Sequence, residues 1–70
     1  RRTSLADPER IQRKVMEEAF EYCLELGRTD VSHERVAEEA ADVIYHLMVG
    51  LVGLDVPWAD VLAVLEERAR

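Results

Sequence analysis

The chain has a single cysteine, two prolines, three glycines and few aromatic side chains among its 70 residues. One cysteine, Cys23, excludes an intramolecular disulfide, and no Cys/His spacing suits a zinc site. Basic residues are also scarce: nine Lys and Arg stand against fifteen Asp and Glu, for a net charge of −6. That balance disfavours nucleic acid and anionic membranes, both of which need a basic patch. It leaves phosphorylated small molecules open, because a bound cation inverts the local sign. The longest apolar run, Val43 to Leu54, is interrupted by His46, Gly50 and Gly53. It falls short of the roughly 18 residues of a membrane span. No signal-peptide pattern is visible. A soluble, reducing, cytoplasmic setting is the expectation. Strand alternation, repeats and low-complexity segments are likewise missing.

What is present is helical. Asp7-Pro8-Glu9 reads as N-cap, N1 proline and first-turn acid. The first helix is expected to run to Leu26, with Gly27 as its C-terminal stop. Ile11, Val15, Ala19, Tyr22, Cys23 and Leu26 are expected on one side of it. Glu17, Glu18, Glu21 and Glu25, with Lys14, are expected on the other. A short connection follows, and Ser32 can cap a second helix from His33 to about Gly53. Apolar residues cover most of that helix, leaving one polar arc with Glu38, Glu39, Asp42 and His46. Asp55-Val56-Pro57 breaks the chain. A third helix is expected from about Pro57 to Ala69, with Val61, Leu62 and Leu65 as its stripe and Trp58 as a packing anchor. The predicted fold is all-α: one domain over residues 1–70, three helices, the first two an antiparallel hairpin. A core this small rarely supplies more than about 3–5 kcal/mol without a staple. A helix apolar nearly all round needs burial that three helices cannot give. A homo-oligomeric helical bundle, most simply a homodimer with the second helix at the interface, is therefore expected.

The acids carry the functional signal. Glu18 and Glu21, then Glu39 and Asp42, form two acid-x-x-acid steps, each on one helix face. Like charges at i,i+4 cost roughly 0.2–0.5 kcal/mol each. Glu17–Glu21, Glu21–Glu25, Glu34–Glu38 and Glu38–Asp42 all stack in that way. Such a collection needs good solvation or a cation. Two acid faces brought together give an all-oxygen ligand set suited to Mg²⁺, with Mn²⁺ also possible. A carboxylate-bridged di-iron site is disfavoured, because no helical Glu-x-x-His step is present.

Other residues have two readings each. His46, one turn after Asp42, can orient a carboxylate, meet a phosphate or act as an acid; equally, it can be a hydrogen-bonded packing residue. Lys14 can bind a phosphate or pair with Glu18. Arg1 and Arg2 are weaker candidates for phosphate contacts. Cys23 is expected in the core. Gly50 and Gly53 are explained by close helix approach and a helix stop rather than by an RNA-clamping loop.

Lys14-Val15-Met16-Glu17-Glu18-Ala19-Phe20-Glu21, followed by Glu38-Glu39-Ala40-Ala41-Asp42-Val43-Ile44-Tyr45-His46-Leu47, resembles the phosphoribosyl-ATP pyrophosphohydrolase family. That family lies within the all-α MazG-like nucleotide pyrophosphatase superfamily. The stretch from Val56-Pro57-Trp58 to Leu65-Glu66 is similar to the family's last helix. Met16 departs from the usual glycine. The resemblance also implies an earlier helix and a Ser-Tyr-Thr segment that this sequence does not carry. It implies Mg²⁺-dependent hydrolysis of phosphoribosyl-ATP to phosphoribosyl-AMP and pyrophosphate, the second step of histidine biosynthesis. Glu18, Glu21, Glu39 and Asp42 would be the metal ligands. Glu17 or Glu38 would take the proton, and Lys14 and His46 would contact the substrate or orient a ligand. Two rivals are a house-cleaning nucleoside triphosphate pyrophosphatase and a non-catalytic helical dimerisation module with solvated acids.

Overall fold

The computed structural model describes residues 7–70. Three helices follow in order: α1 (Pro8–Leu26), α2 (His33–Gly53) and α3 (Trp58–Arg68). The Asp7 side chain caps α1, accepting from the backbone N–H groups of Glu9 at 3.1 Å and Arg10 at 3.4 Å. Ser32 Oγ caps α2, accepting from Arg35 N at 3.2 Å. These are the bonds that Ser and Asp supply at helix starts, where the first amides lack intrahelical partners. The expected helix boundaries hold to within a residue.

Two helix ends differ from expectation. Gly27 ends α1 at φ −91°, so it does not use the left-handed conformation that favours glycine. At the end of α2 the left-handed residue is Asp55, at φ 58°, and not Gly53. Val56 N donates to Leu51 O at 2.9 Å and Asp55 N to Val52 O at 3.1 Å. This 6→1 and 5→2 pair is a Schellman stop, with an aspartate in the place glycine usually takes. Aspartate tolerates that conformation better than most residues.

α1 and α2 pack against each other as the predicted hairpin, and α3 barely touches it. The chain axis bends by 115° between α2 and α3. The molecule measures 43 × 38 × 15 Å, so its thickness is close to that of one helix with side chains. A single layer has no second layer to bury its faces against. Accordingly, no apolar side chain among the described residues is buried. Met16, Phe20 and Leu24 form an open stripe along α1, and Ile44, Leu47, Met48 and Val52 are open on α2. Cys23, expected in the core, is exposed. At the open end of the hairpin, Gly50 faces Ile11. A methyl group at Gly50 would lie 3.5 Å from Ile11 Cγ2, an ordinary contact. No single helix among the described residues is long and apolar enough to cross a membrane.

Candidate metal and phosphate site

The hairpin seam is built differently from the expected apolar side. On α1, Ile11, Val15, Glu18, Tyr22 and Glu25 are drawn in from solvent at spacings of four and three, with Lys14 and Ala19 on either side of them. Val36, Glu39, Val43, His46 and Gly50 match them on α2. Both sets follow the seam of two antiparallel helices. Polar groups therefore sit inside it: Glu18 is 8% exposed and Glu25 is 4% exposed. The expected separation of Glu18 and Glu25 from the apolar side of α1 is corrected here. About 100° per residue puts both beside Ile11 and Val15, whatever their polarity.

Each buried acid has partners. His46 Nδ1 donates to Glu18 Oε1 at 2.6 Å. An ionised carboxylate only accepts, so Nδ1 carries the proton in this pairing. Lys14 Nζ lies 3.8 Å from Glu18 Oε2 and 3.6 Å from Glu17 Oε1. Of the readings of Lys14 and His46, two gain a geometry: Lys14 pairs with Glu18, and His46 hydrogen-bonds its carboxylate. Further along the seam, Glu25 Oε1 accepts from Arg28 Nε at 3.1 Å, and Glu25 Oε2 from Arg35 Nη2 at 3.2 Å. Burial raises the proton affinity of Glu25. The hydrogen bonds and charges of Arg35 and Arg28 outweigh it and hold the carboxyl below its ordinary range.

Glu39 is the acid left incomplete. Its Oε2 is 3.7 Å from Arg35 Nη2, while its Oε1 is buried with no hydrogen-bond partner. Burial pushes this carboxyl above its ordinary value. The charges of Glu21 and Asp42 add to the shift, against the opposing charge of Arg35. Glu21, Glu39 and Asp42 are therefore electrostatic neighbours. Glu18 is turned toward His46 instead. Among the described residues, no group of three or more His, Cys, Asp or Glu side chains converges into a ready-made metal cage. A buried carboxylate oxygen without a donor is nevertheless a costly arrangement. Beside two further acids, it fits an oxygen-seeking cation. Glu17 is exposed and shares Lys14 with Glu18. Glu38 is exposed and acts only at a distance, on the charge of Arg35. Arg1 and Arg2 lie outside the described residues.

The sequence reading missed Arg28 and Arg35 and did not single out Glu25. One signal was available. An acid in the last turn of a helix opposes the helix dipole, and Glu25 occupies that position with arginines three and ten residues later.

The arrangement joins two acid steps on facing helices to a lysine and a histidine. Compared with protein families, residues 2–69 match the model of the family described as phosphoribosyl-ATP pyrophosphohydrolase. The chain belongs to that family. A phosphoribosyl-ATP pyrophosphatase of Cereibacter sphaeroides is 51% identical over 61 residues, covering 87% of this chain and 57% of the relative. One from Dinoroseobacter shibae is 46% identical over 61 residues, covering 87% and 58%. The histidine biosynthesis bifunctional protein HisIE of Staphylococcus epidermidis is 45% identical over 60 residues, covering 86% of this chain and 28% of that protein. The chain thus spans a little over half the length of the phosphoribosyl-ATP pyrophosphatases that it matches. No solved structure gives a significant match. The all-α, MazG-like architecture expected of a phosphoribosyl-ATP pyrophosphohydrolase is the one observed, with three helices and no strand among the described residues.

Proposed function

We propose that this chain carries the acidic helical hairpin of a phosphoribosyl-ATP pyrophosphohydrolase. It would hydrolyse the α–β phosphoanhydride of phosphoribosyl-ATP to phosphoribosyl-AMP and pyrophosphate. The observation that carries the reading is the family match, which takes in all but the two end residues. The unpartnered Glu39 Oε1 beside Glu21 and Asp42 supports a divalent cation, Mg²⁺ or Mn²⁺, at this seam.

In this reading Glu39, Glu21 and Asp42 would hold the cation, and Glu18 would contribute from α1. When bound, the cation neutralises triphosphate charge and draws electron density from the attacked phosphorus. Lys14, whose ammonium lies between Glu17 and Glu18, would turn from them to a phosphate oxygen as a point charge. His46 fixes the Glu18 carboxylate through Nδ1. Glu17 or Glu38, both exposed, would take the proton of the attacking water. Water supplies the oxygen, the α–β bond breaks, and pyrophosphate leaves.

The active form is a homo-oligomer in this reading. A layer 15 Å thick, with no buried apolar side chain among the described residues, needs a second layer, and another copy presents the same open stripes. The test is a substrate panel with Mg²⁺, run beside sedimentation at micromolar concentration. Pyrophosphate released from phosphoribosyl-ATP by an oligomer is the expected result. Orthophosphate as first product, undiminished turnover in excess chelator, or preference for deoxynucleoside triphosphates would overturn the assignment. A well-folded monomer would overturn the assembly.

A further inference from the structure

We infer that Glu25 holds the Arg35 guanidinium off Glu39 and so keeps the Glu39 carboxylate open to a cation; this rests on the metal-site reading above. Arg35 and Glu39 are four residues apart on α2, a spacing at which an Arg–Glu pair forms within one helix. In the structure that ion pair is present but stretched, and the hydrogen bond of the guanidinium goes elsewhere. Arg35 Nη2 donates to Glu25 Oε2 at 3.2 Å, whereas Glu39 Oε2 lies 3.7 Å away without a hydrogen bond. Glu25 is poorly placed for any role in α1 itself. It is buried, and it stands in the last turn, where the helix dipole repels negative charge. Two arginines from outside α1 compensate for that cost. Arg28 takes Oε1 from the connection, which leaves Oε2 as the one seat for Arg35.

The geometry defines two alternatives for one guanidinium. On Glu25, it leaves Glu39 Oε1 unpartnered, as observed. Without Glu25, the carboxylate within reach is Glu39, and a guanidinium fork can engage both of its oxygens. A cation would then have to displace that ion pair before reaching Glu39. Glu25 is thus a positioning residue that acts through Arg35 and need not touch substrate.

The test measures Mn²⁺ binding to the apo protein by calorimetry, with helix content checked by circular dichroism. The variants are Glu25→Gln, Glu25→Asp, Arg35→Gln and the double variant Glu25→Gln/Arg35→Gln. Affinity is expected to fall about two- to fivefold in Glu25→Gln, the factor for displacing one solvent-facing ion pair. Arg35→Gln should bind as tightly as wild type or more tightly. The double variant has the net charge of wild type and should recover its affinity. Glu25→Asp keeps the charge but shortens the reach, and should fall with Glu25→Gln. Wild-type affinity in Glu25→Gln, or loss in Arg35→Gln, would overturn the inference and leave the metal site standing. So would wild-type affinity confined to Glu25→Asp, since net charge and not the hold on Arg35 would then decide. If Glu25→Gln loses helix content, Arg35→Gln decides alone: weaker binding overturns the inference, and equal or tighter binding upholds it. Absence of a saturable Mn²⁺ site in wild type would overturn the metal reading and this inference together.

Discussion

Replacing Glu18 by glutamine separates two accounts of the acid cluster. If the four acids only repelled one another, a neutral isostere would leave the apo melting temperature level or raise it. The structure assigns Glu18 a different balance. It is 8% exposed, accepts from His46 Nδ1 at 2.6 Å and lies 3.8 Å from the Lys14 ammonium. Hydrogen bonds to a charged group contribute about 1.5–3 kcal/mol, and neutral ones about 0.5–1.5 kcal/mol. Glutamine keeps an acceptor for His46 but loses the charge. The expected loss is therefore about 1 kcal/mol, with little added by the partly exposed Lys14 pair. For a domain of this size that is a fall of about 4–8 °C. Asp42→Asn is the control. Asp42 is exposed and has no ion-pair partner among the described residues, so its change should stay within about 0.5 kcal/mol. The assay is thermal unfolding followed by far-UV circular dichroism, in chelator, at one protein concentration, because association makes the midpoint concentration-dependent. A Glu18→Gln protein that melts level with or above wild type would refute the argument that His46 and Lys14 satisfy this carboxylate.

Three further outcomes are expected. Gly50→Ala should stabilise the protein by up to the roughly 1 kcal/mol difference in helix propensity and so raise the melting temperature, since the new methyl meets Ile11 Cγ2 at 3.5 Å; a lower midpoint would show the seam to be tighter than this. Asp55→Val should cost about 1–2 kcal/mol in the same assay, because a β-branched residue must adopt φ 58°; no loss would mean the turn re-forms in another way. Acid titration of stability should distinguish Glu25→Gln from wild type. The folded Glu25 carboxyl is held below its ordinary value, so its contribution is full above the ordinary carboxylate range and is lost as pH falls through the depressed folded value. Wild type should therefore lose more stability than Glu25→Gln across that acid window, and parallel curves would contradict the pairing with Arg28 and Arg35.

The helices were legible because their punctuation is local. Asp7-Pro8 and Ser32 act within one turn, and each forms the cap bond that its residue type implies. The hairpin was legible from the short connection. Polarity hides the seam, because it points Glu18 and Glu25 away from the side of α1 that is drawn in. Spacing alone would have placed Glu18 and Glu25 beside Ile11, Val15 and Tyr22. Where none of the described residues forms a buried apolar core, polarity is a weak guide to which side packs. The Glu25–Arg35 pair spans ten residues and exists only once the hairpin closes, so no local pattern announces it. The stop at Asp55 was hidden for the opposite reason: a nearby glycine offered a simpler explanation than an aspartate in the left-handed region.

That stop also makes α3 a lever. With α3 barely touching the hairpin, its direction is set by the few backbone torsions around Asp55 and by two hydrogen bonds, Val56 N to Leu51 O and Asp55 N to Val52 O. At about 1.5 Å per residue, an arm of 11 residues reaches roughly 16 Å. A rotation of about 10° at its base carries the far end through about 3 Å, more than half the pitch of a helical turn. Whatever surface the arm meets, its angle of approach is tuned at one aspartate remote from the acids, so the shape of an assembly and the chemistry of its seam can change independently.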